Sequence, residues 1–119
     1  MRGSREQRAV LIRGPNKVVA IAVVGSPKLN VSEVETYARM GSVQEEVLRV
    51  IGTSRQWLRH LTIVVALVSN PKTPLAVSMP LVPRLPAREM RRIASDRNVA
   101  DGVRITARRC LMANEERRS

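Results

Sequence analysis

The side chains able to do chemistry are few, and their spacing does not assemble them. His60 is the single imidazole. A general base needs a nucleophile, an orienting acid and a cleft in common. Ser54, Ser69 and Asp96 are available, but nothing in their spacing brings them to His60, which reads as a structural or surface residue. Cys110, the single cysteine, falls at the fourth position of the apolar stripe Val99, Val103, Thr106. Reactive thiols need an exposed electropositive setting, so Cys110 reads as a small core hydrophobe despite Arg108 and Arg109 beside it. Glu33, Glu45 and Asp101 fall in expected first turns, where carboxylates meet the positive helix end. A two-carboxylate hydrolase would need Glu33 or Glu35 to face Glu45 or Glu46 across a cleft, and no feature of the chain requires that. The six glycines stand singly, mostly at expected helix ends, and never as a phosphate-cradling loop. One cysteine and one histidine exclude a disulfide framework, multi-cysteine zinc sites and a two-histidine metal centre. No catalytic residue, cofactor or metal is expected.

What remains is charge. The 119 residues carry 21 Lys and Arg against 10 Asp and Glu, a formal net charge of +11, with arginine outnumbering lysine 18 to 3. The excess is uneven: positions 54–109 hold eleven basic and three acidic residues. The candidate anion or nucleic-acid contacts are Arg84, Arg88, Arg91 and Arg92 around one expected helix, with Arg104 and Arg108 on the next. Arg88, Arg91 and Arg92 stand at i, i+3 and i+4, an arc of roughly a quarter to a third of a turn opposite Ala87, Met90, Ile93 and Ala94. Guanidinium forks pair bidentately with phosphates. Solvated outer helix faces account for the same arginines without any partner. Trp57 and Tyr37 are the only aromatic residues, which argues against a base-stacking platform for single strands.

The elements that must position these side chains are helices. Asn30 is a helix cap ahead of Val31, Val34, Tyr37 and Ala38. Ser42-Val43-Gln44-Glu45 has the form of a capping box before Val47, Val50 and Ile51. The stripe Trp57, Leu61, Val64, Val65, Val68 predicts one helix opening at Thr53 and buried nearly all round, with Trp57 as its anchor. Thr73-Pro74 reads as a cap with proline at the first helical position, and Pro80 and Pro83 cut that helix short. A helix over about Pro86–Ser95 and another from Asn98 follow, and Ser4–Ile12 is a weaker first helix. Val18–Val24 is β-branched enough for a strand, but a lone strand would have no partner, so a helix is expected there as well.

The chain also matches itself. Shifted by 44 positions, Val18–Lys28 lies on Thr62–Lys72, with Ala22, Val24, Pro27 and Lys28 on Ala66, Val68, Pro71 and Lys72. Shifted by 56, Ala38, Ser42, Val43, Glu45 and Val47 lie on Ala94, Asn98, Val99, Asp101 and Val103, the extra 12 positions coinciding with the proline-rich stretch Pro80–Pro86. This predicts two units, about 15–53 and 54–113, with Pro27 and Pro71 each between the end of one helix and the start of the next.

Asn70-Pro71-Lys72-Thr73-Pro74 reproduces the asparagine-proline-x-threonine-proline turn of leucine-rich-repeat-variant proteins, and Ser26-Pro27-Lys28-Leu29-Asn30 is a weaker copy without the second proline. With Leu11 to Lys17 and Asp96-Arg97-Asn98-Val99, these segments resemble HEAT-like repeats, including an uncharacterised bacterial family, over about residues 9 to 111. Pro80, inside an expected helix, departs from the pattern. The resemblance implies an all-α fold, a short right-handed α-solenoid of about seven helices. It carries no catalytic residues and little about function, because such repeats bind many partners.

A chain of this length is one domain, and 44% hydrophobic with 26% charged residues suits a globular one. No uninterrupted apolar run, Ile63–Val68 included, approaches the ~20 residues a spanning helix needs, and no signal peptide is evident. Met1-Arg2-Gly3-Ser4 resembles an expression leader, and 114–119 is expected to fray. The expectation is a non-catalytic protein-binding or scaffold module of the bacterial cytoplasm, a terminal piece of a longer chain, with the inner helix row as its face. The alternative is a nucleic-acid-binding module whose arginines meet the phosphate backbone.

Overall fold

A computed structural model describes residues 5–118; the expected leader at 1–4 lies outside them. Among the described residues there are nine α-helices, one 3₁₀ segment and no strand. The helices are α1 (Arg5–Arg13), α2 (Lys17–Val24), α3 (Val31–Arg39), α4 (Glu45–Gly52), α5 (Arg55–Leu58), α6 (Leu61–Ser69), α7 (Leu75–Ser78), α8 (Ala87–Ser95) and α9 (Asp101–Arg118), with the 3₁₀ segment over Met79–Arg84 between α7 and α8. The all-α class holds, and the β-branched stretch Val18–Val24 is helical. Its cap is Asn16, whose Oδ1 accepts from the Val19 amide at 3.2 Å.

The expected single helix from Thr53 to Val68 is two helices, which is one reason the helices outnumber seven. His60 is extended (φ −97°, ψ 114°) at the cap of α6, and its amide closes α5 by donating to Trp57 O at 3.1 Å. The break lets Trp57 turn inward and be buried while Leu61 is left exposed. The Pro80–Pro83 stretch continues α7 as the 3₁₀ segment rather than as α-helix, because proline cannot supply the amide that the next turn requires.

Three helix starts differ from expectation for one reason. Positions 26–30, 40–44, 70–74 and 96–100 share one five-residue connector: a non-helical first residue, a two-residue turn, a buried fourth residue and a non-helical fifth before the next helix. The buried fourth residues are Leu29, Val43, Thr73 and Val99. In three connectors the first side chain accepts from the third amide: Ser26 Oγ from Lys28, Asn70 Oδ1 from Lys72 and Asp96 Oδ1 from Asn98. Ser42 and Asn98 are therefore third residues of connectors and Thr73 a fourth residue, ahead of the helix in each case. The capping box at Ser42 does not form; Gln44 is the cap residue, and no side chain caps that helix. Pro74, not Thr73, is the cap of α7, and α9 begins at Asp101 rather than Asn98. Asn30 does cap as expected, its Oδ1 accepting from the Glu33 amide at 2.9 Å. Pro27 and Pro71 both occupy the second connector position, each between two helices.

The helices pack in two files. α3 packs on α1 and α6; α2 packs on α4, α4 on α7, and α7 with the 3₁₀ segment on α9, while α1 pairs with α2 and α8 with α9 across short connections. Side chains tie successive connectors along one edge. Gln44 Nε2 donates to Gly14 O and Pro15 O, both at 3.4 Å. Asn70 Nδ2 donates to Ala38 O at 2.8 Å and Met40 O at 2.9 Å, and Arg92 reaches Ser69 Oγ at 3.1 Å. Residues 26–29 lie at the other edge, where Ser26, Pro27 and Leu29 share a cavity with Val50, Ser54 and Trp57. The match over 44 positions therefore equates segments of the same local conformation on opposite edges. A single buried cluster extends from Ile12 to Ala107, with Cys110 partly buried against it. The Cα atoms span 55 × 23 × 19 Å. Helix α9 runs through Arg118, past the expected frayed start at 114; Asn114 on it contacts Met90 Sδ of α8 at 3.9 Å.

Candidate functional site

Helix α8 follows Pro86, an extended residue, and turns Met90, Ile93 and Ala94 into the core. Arg88 is thereby left exposed, and Arg91 and Arg92 fall on opposite flanks. Arg91 lines a groove against α9 with Leu111, Asn114, Glu115 and Arg117. Arg92 lies in a second groove with Arg39, Val65, Ser69 and Glu89. There it is already engaged, 3.1 Å from Glu89, 3.8 Å from Asp96 and hydrogen-bonded to Ser69. On α9, Arg104 pairs with Asp101 and Arg108 is exposed. Arg84 is exposed at the end of the 3₁₀ segment. Of the six arginines expected to act on anions, Arg92 and Arg104 thus have acidic partners on or beside their own helices, while Arg84, Arg88, Arg91 and Arg108 form no ion pair among the described residues.

The residues considered for catalysis stay apart. His60 caps α6 without a side-chain cap bond, and Cys110 is half-buried on the inner side of α9. Glu45 and Glu46 both face Arg49 on their own helix and Glu35 faces Arg39. No cluster of His, Cys, Asp and Glu able to hold a metal occurs among the described residues, and no helix there is long and apolar enough to cross a membrane.

Glu33 has the most distinctive electrostatic setting, and it is a structural one. Arg8 of α1 donates to both its oxygens, Nε to Oε2 and Nη2 to Oε1, each at 2.8 Å, and the Tyr37 hydroxyl donates to Oε2 at 3.2 Å. All three side chains are buried. The hydrogen bonds from Arg8 hold the Glu33 carboxyl below its ordinary range, against the opposing effect of burial. Burial first, then the Glu33 charge, raises the Tyr37 hydroxyl above its own. The trio fastens α1 to α3, and Arg8 also lines a cavity with Val23, Ser26, Pro27 and Lys28.

The surface that sequence reasoning missed is apolar. Leu75 (45% exposed), Met79 (40%), Ile105 (47%) and Met112 (62%) stand out of the core on α7, the 3₁₀ segment and α9. Gly102 brings the first two against α9: at its position a Cβ would meet both Leu75 methyls at 3.4 Å and Met79 Sδ at 3.9 Å. Ile105 follows Gly102 by three residues and Met112 follows Ile105 by seven, so all lie on one side of α9. The available signal was that α9 carries apolar residues on two sides, Val103 and Ala107 inward and Ile105 and Met112 outward. Comparison of this chain with protein-family models, with curated proteins and with solved structures finds no match.

Proposed function

We propose that this chain is a non-catalytic protein-binding module of helical-repeat type, a short right-handed HEAT-like solenoid in which α1–α2, α3–α4, α6–α7 and α8–α9 are successive hairpins. Its place would be the cytoplasm of a bacterium, in keeping with a lone thiol that needs no oxidising compartment. The observation that carries the binding reading is the set of exposed apolar side chains Leu75, Met79, Ile105 and Met112 along one side of α9, since apolar patches on small proteins mark interaction sites. The repeat reading is supported by the two files of helices and by connectors of one conformation starting at 40, 70 and 96. Packing of α3 on α1 and α6 and of α2 on α4 joins neighbouring hairpins, as a solenoid would require.

The test is capture from native bacterial lysate, with and without nuclease. Wild type is expected to retain a protein partner after nuclease, and the Ile105→Ser, Met112→Ser double variant to lose it. Capture that vanishes with nuclease, or that survives the double substitution, overturns this reading.

The second reading, duplex binding through the phosphate backbone, is favoured by the four arginines that form no ion pair among the described residues, Arg84, Arg88, Arg91 and Arg108. Neutralising about four phosphates corresponds to a log-affinity against log-salt slope near −3.6. Titration of labelled duplex at several salt concentrations, with Arg84, Arg88, Arg91 and Arg108 changed to Gln, decides it. A slope of that size, lost in the quadruple variant, would establish nucleic acid as partner in place of protein.

A further inference from the structure

We infer that the face of α9 between Leu75 and Met112 receives an acidic amphipathic helix of a partner protein. The inference deepens the protein-binding reading and rests on it. With about 100° per residue, Ile105 and Met112 lie within about 20° of one another on α9. Arg108 and Arg109 then stand about 50° to either side of that line. Both are exposed, and neither forms an ion pair among the described residues. An apolar line edged on both sides by uncompensated guanidinium groups is complementary to a helix with an apolar stripe edged by carboxylates. Arginine–carboxylate forks supply orientation and the stripe supplies burial.

The dimensions suit such a ligand. From Gly102 to Met112 the face is about 15 Å long, the rise of ten helical residues. Leu75 and Met79, folded over Gly102, close one end. Met79 and Met112 bring unbranched thioethers that adapt to the side chains set against them.

Other occupants fit less well. A second copy would set arginines against a chain of net charge +11. A phosphate backbone has nothing to place against Ile105 and Met112. A membrane surface calls for aromatic anchors at the interface, and the only two aromatic residues, Trp57 and Tyr37, are buried in the core.

The experiment is fluorescence anisotropy with a labelled helical peptide of fifteen residues, leucines along one stripe and glutamates on both borders. Its comparators are the same peptide with lysine for glutamate, phosphatidylglycerol vesicles and a labelled duplex. The acidic peptide is expected to bind at least tenfold more tightly than the lysine peptide. Ile105→Ser with Met112→Ser should weaken it at least tenfold, and Arg108→Glu with Arg109→Glu should reverse the preference between the two peptides. These positions are exposed, and thermal melts of each variant check that the fold persists. Equal binding of the two peptides, insensitivity to either pair of substitutions, or vesicle or duplex binding lost in the same variants overturns the inference. If neither peptide binds while lysate capture still depends on Ile105 and Met112, the protein-binding reading stands and the acidic-helix partner falls.

Discussion

Asn70 is the residue on which most of the polar architecture converges. Its carboxamide donates to two carbonyls of another hairpin, Ala38 O and Met40 O, and accepts from the Lys72 amide at 3.0 Å in its own connector. Ser26, its counterpart in the self-match, accepts only from its own connector, from Lys28. The asparagine at this motif position was legible in the sequence, but its partners, 32 and 30 positions away, were not. Asn70→Ala strands those carbonyls and should cost about 2–3 kcal/mol, read by urea denaturation; a loss under about 0.5 kcal/mol would mean that water replaces the carboxamide. Glu33 and Tyr37 set the pH response. Because Arg8 holds the folded Glu33 below the ordinary 4.5, its ionised form contributes stability that is complete above that value and lost as pH falls through the folded pKa. The Tyr37 hydroxyl is raised above 10.0, so its neutral form contributes stability present below pH 10 and lost as pH rises through the raised value. The melting temperature should be flat between about pH 6 and 9 and fall on both sides. Glu33→Gln should make the acid limb shallower and Tyr37→Phe the alkaline one; profiles parallel to wild type in both variants would refute the assignment.

At the scale of elements, the apolar faces of the helices and the prolines between them could be read from spacing, whereas helix starts could not. Ser42, Thr73 and Asn98 have the composition of caps, but the burial of Val43, Thr73 and Val99 defers each helix by one to three residues. Tertiary packing overrode a local preference worth about 1 kcal/mol. The break at Arg59–His60 had no marker, since neither glycine nor proline stands there. The shared connector makes a sharp prediction. Proline occupies its second position at Pro27 and Pro71, while Gly41 and Arg97 stand there in the other two copies, each after an extended residue and with no amide hydrogen bond of its own. Gly41→Pro and Arg97→Pro should each stabilise by about 0.4–1 kcal/mol. Gly52→Ala should do the reverse. A Cβ there runs into Val77 Cγ1 of α7, at a cost of about 1–3 kcal/mol. Chemical denaturation of the three variants checks both signs at once.

For the whole molecule, fold class was recoverable because apolar periodicity is a property of each segment. The outward face was not, because exposure of Ile105 and Met112 depends on which side of α9 the preceding hairpins leave uncovered. Likewise the candidate arginines were placed on one arc, yet α6 and α9 draw Arg92 and Arg91 to opposite grooves. The distribution of ties between connectors has a mechanical consequence. Along one edge Gln44, Asn70 and Arg92 fasten each hairpin to the one before. Along the other, at 25–30, 53–60 and 84–86, no side-chain hydrogen bond joins successive hairpins among the described residues, and a cavity lined by Ser26, Pro27, Leu29, Val50, Ser54 and Trp57 opens there. Such a body is stitched like the spine of a book. Thermal bending should open the unstitched margin while the stitched one acts as hinge. In hydrogen exchange the Ser54 and His60 amides should exchange well before those of Asn70 and Thr73, and Asn70→Ala should bring the two margins to similar rates. The pages would then come loose from both sides.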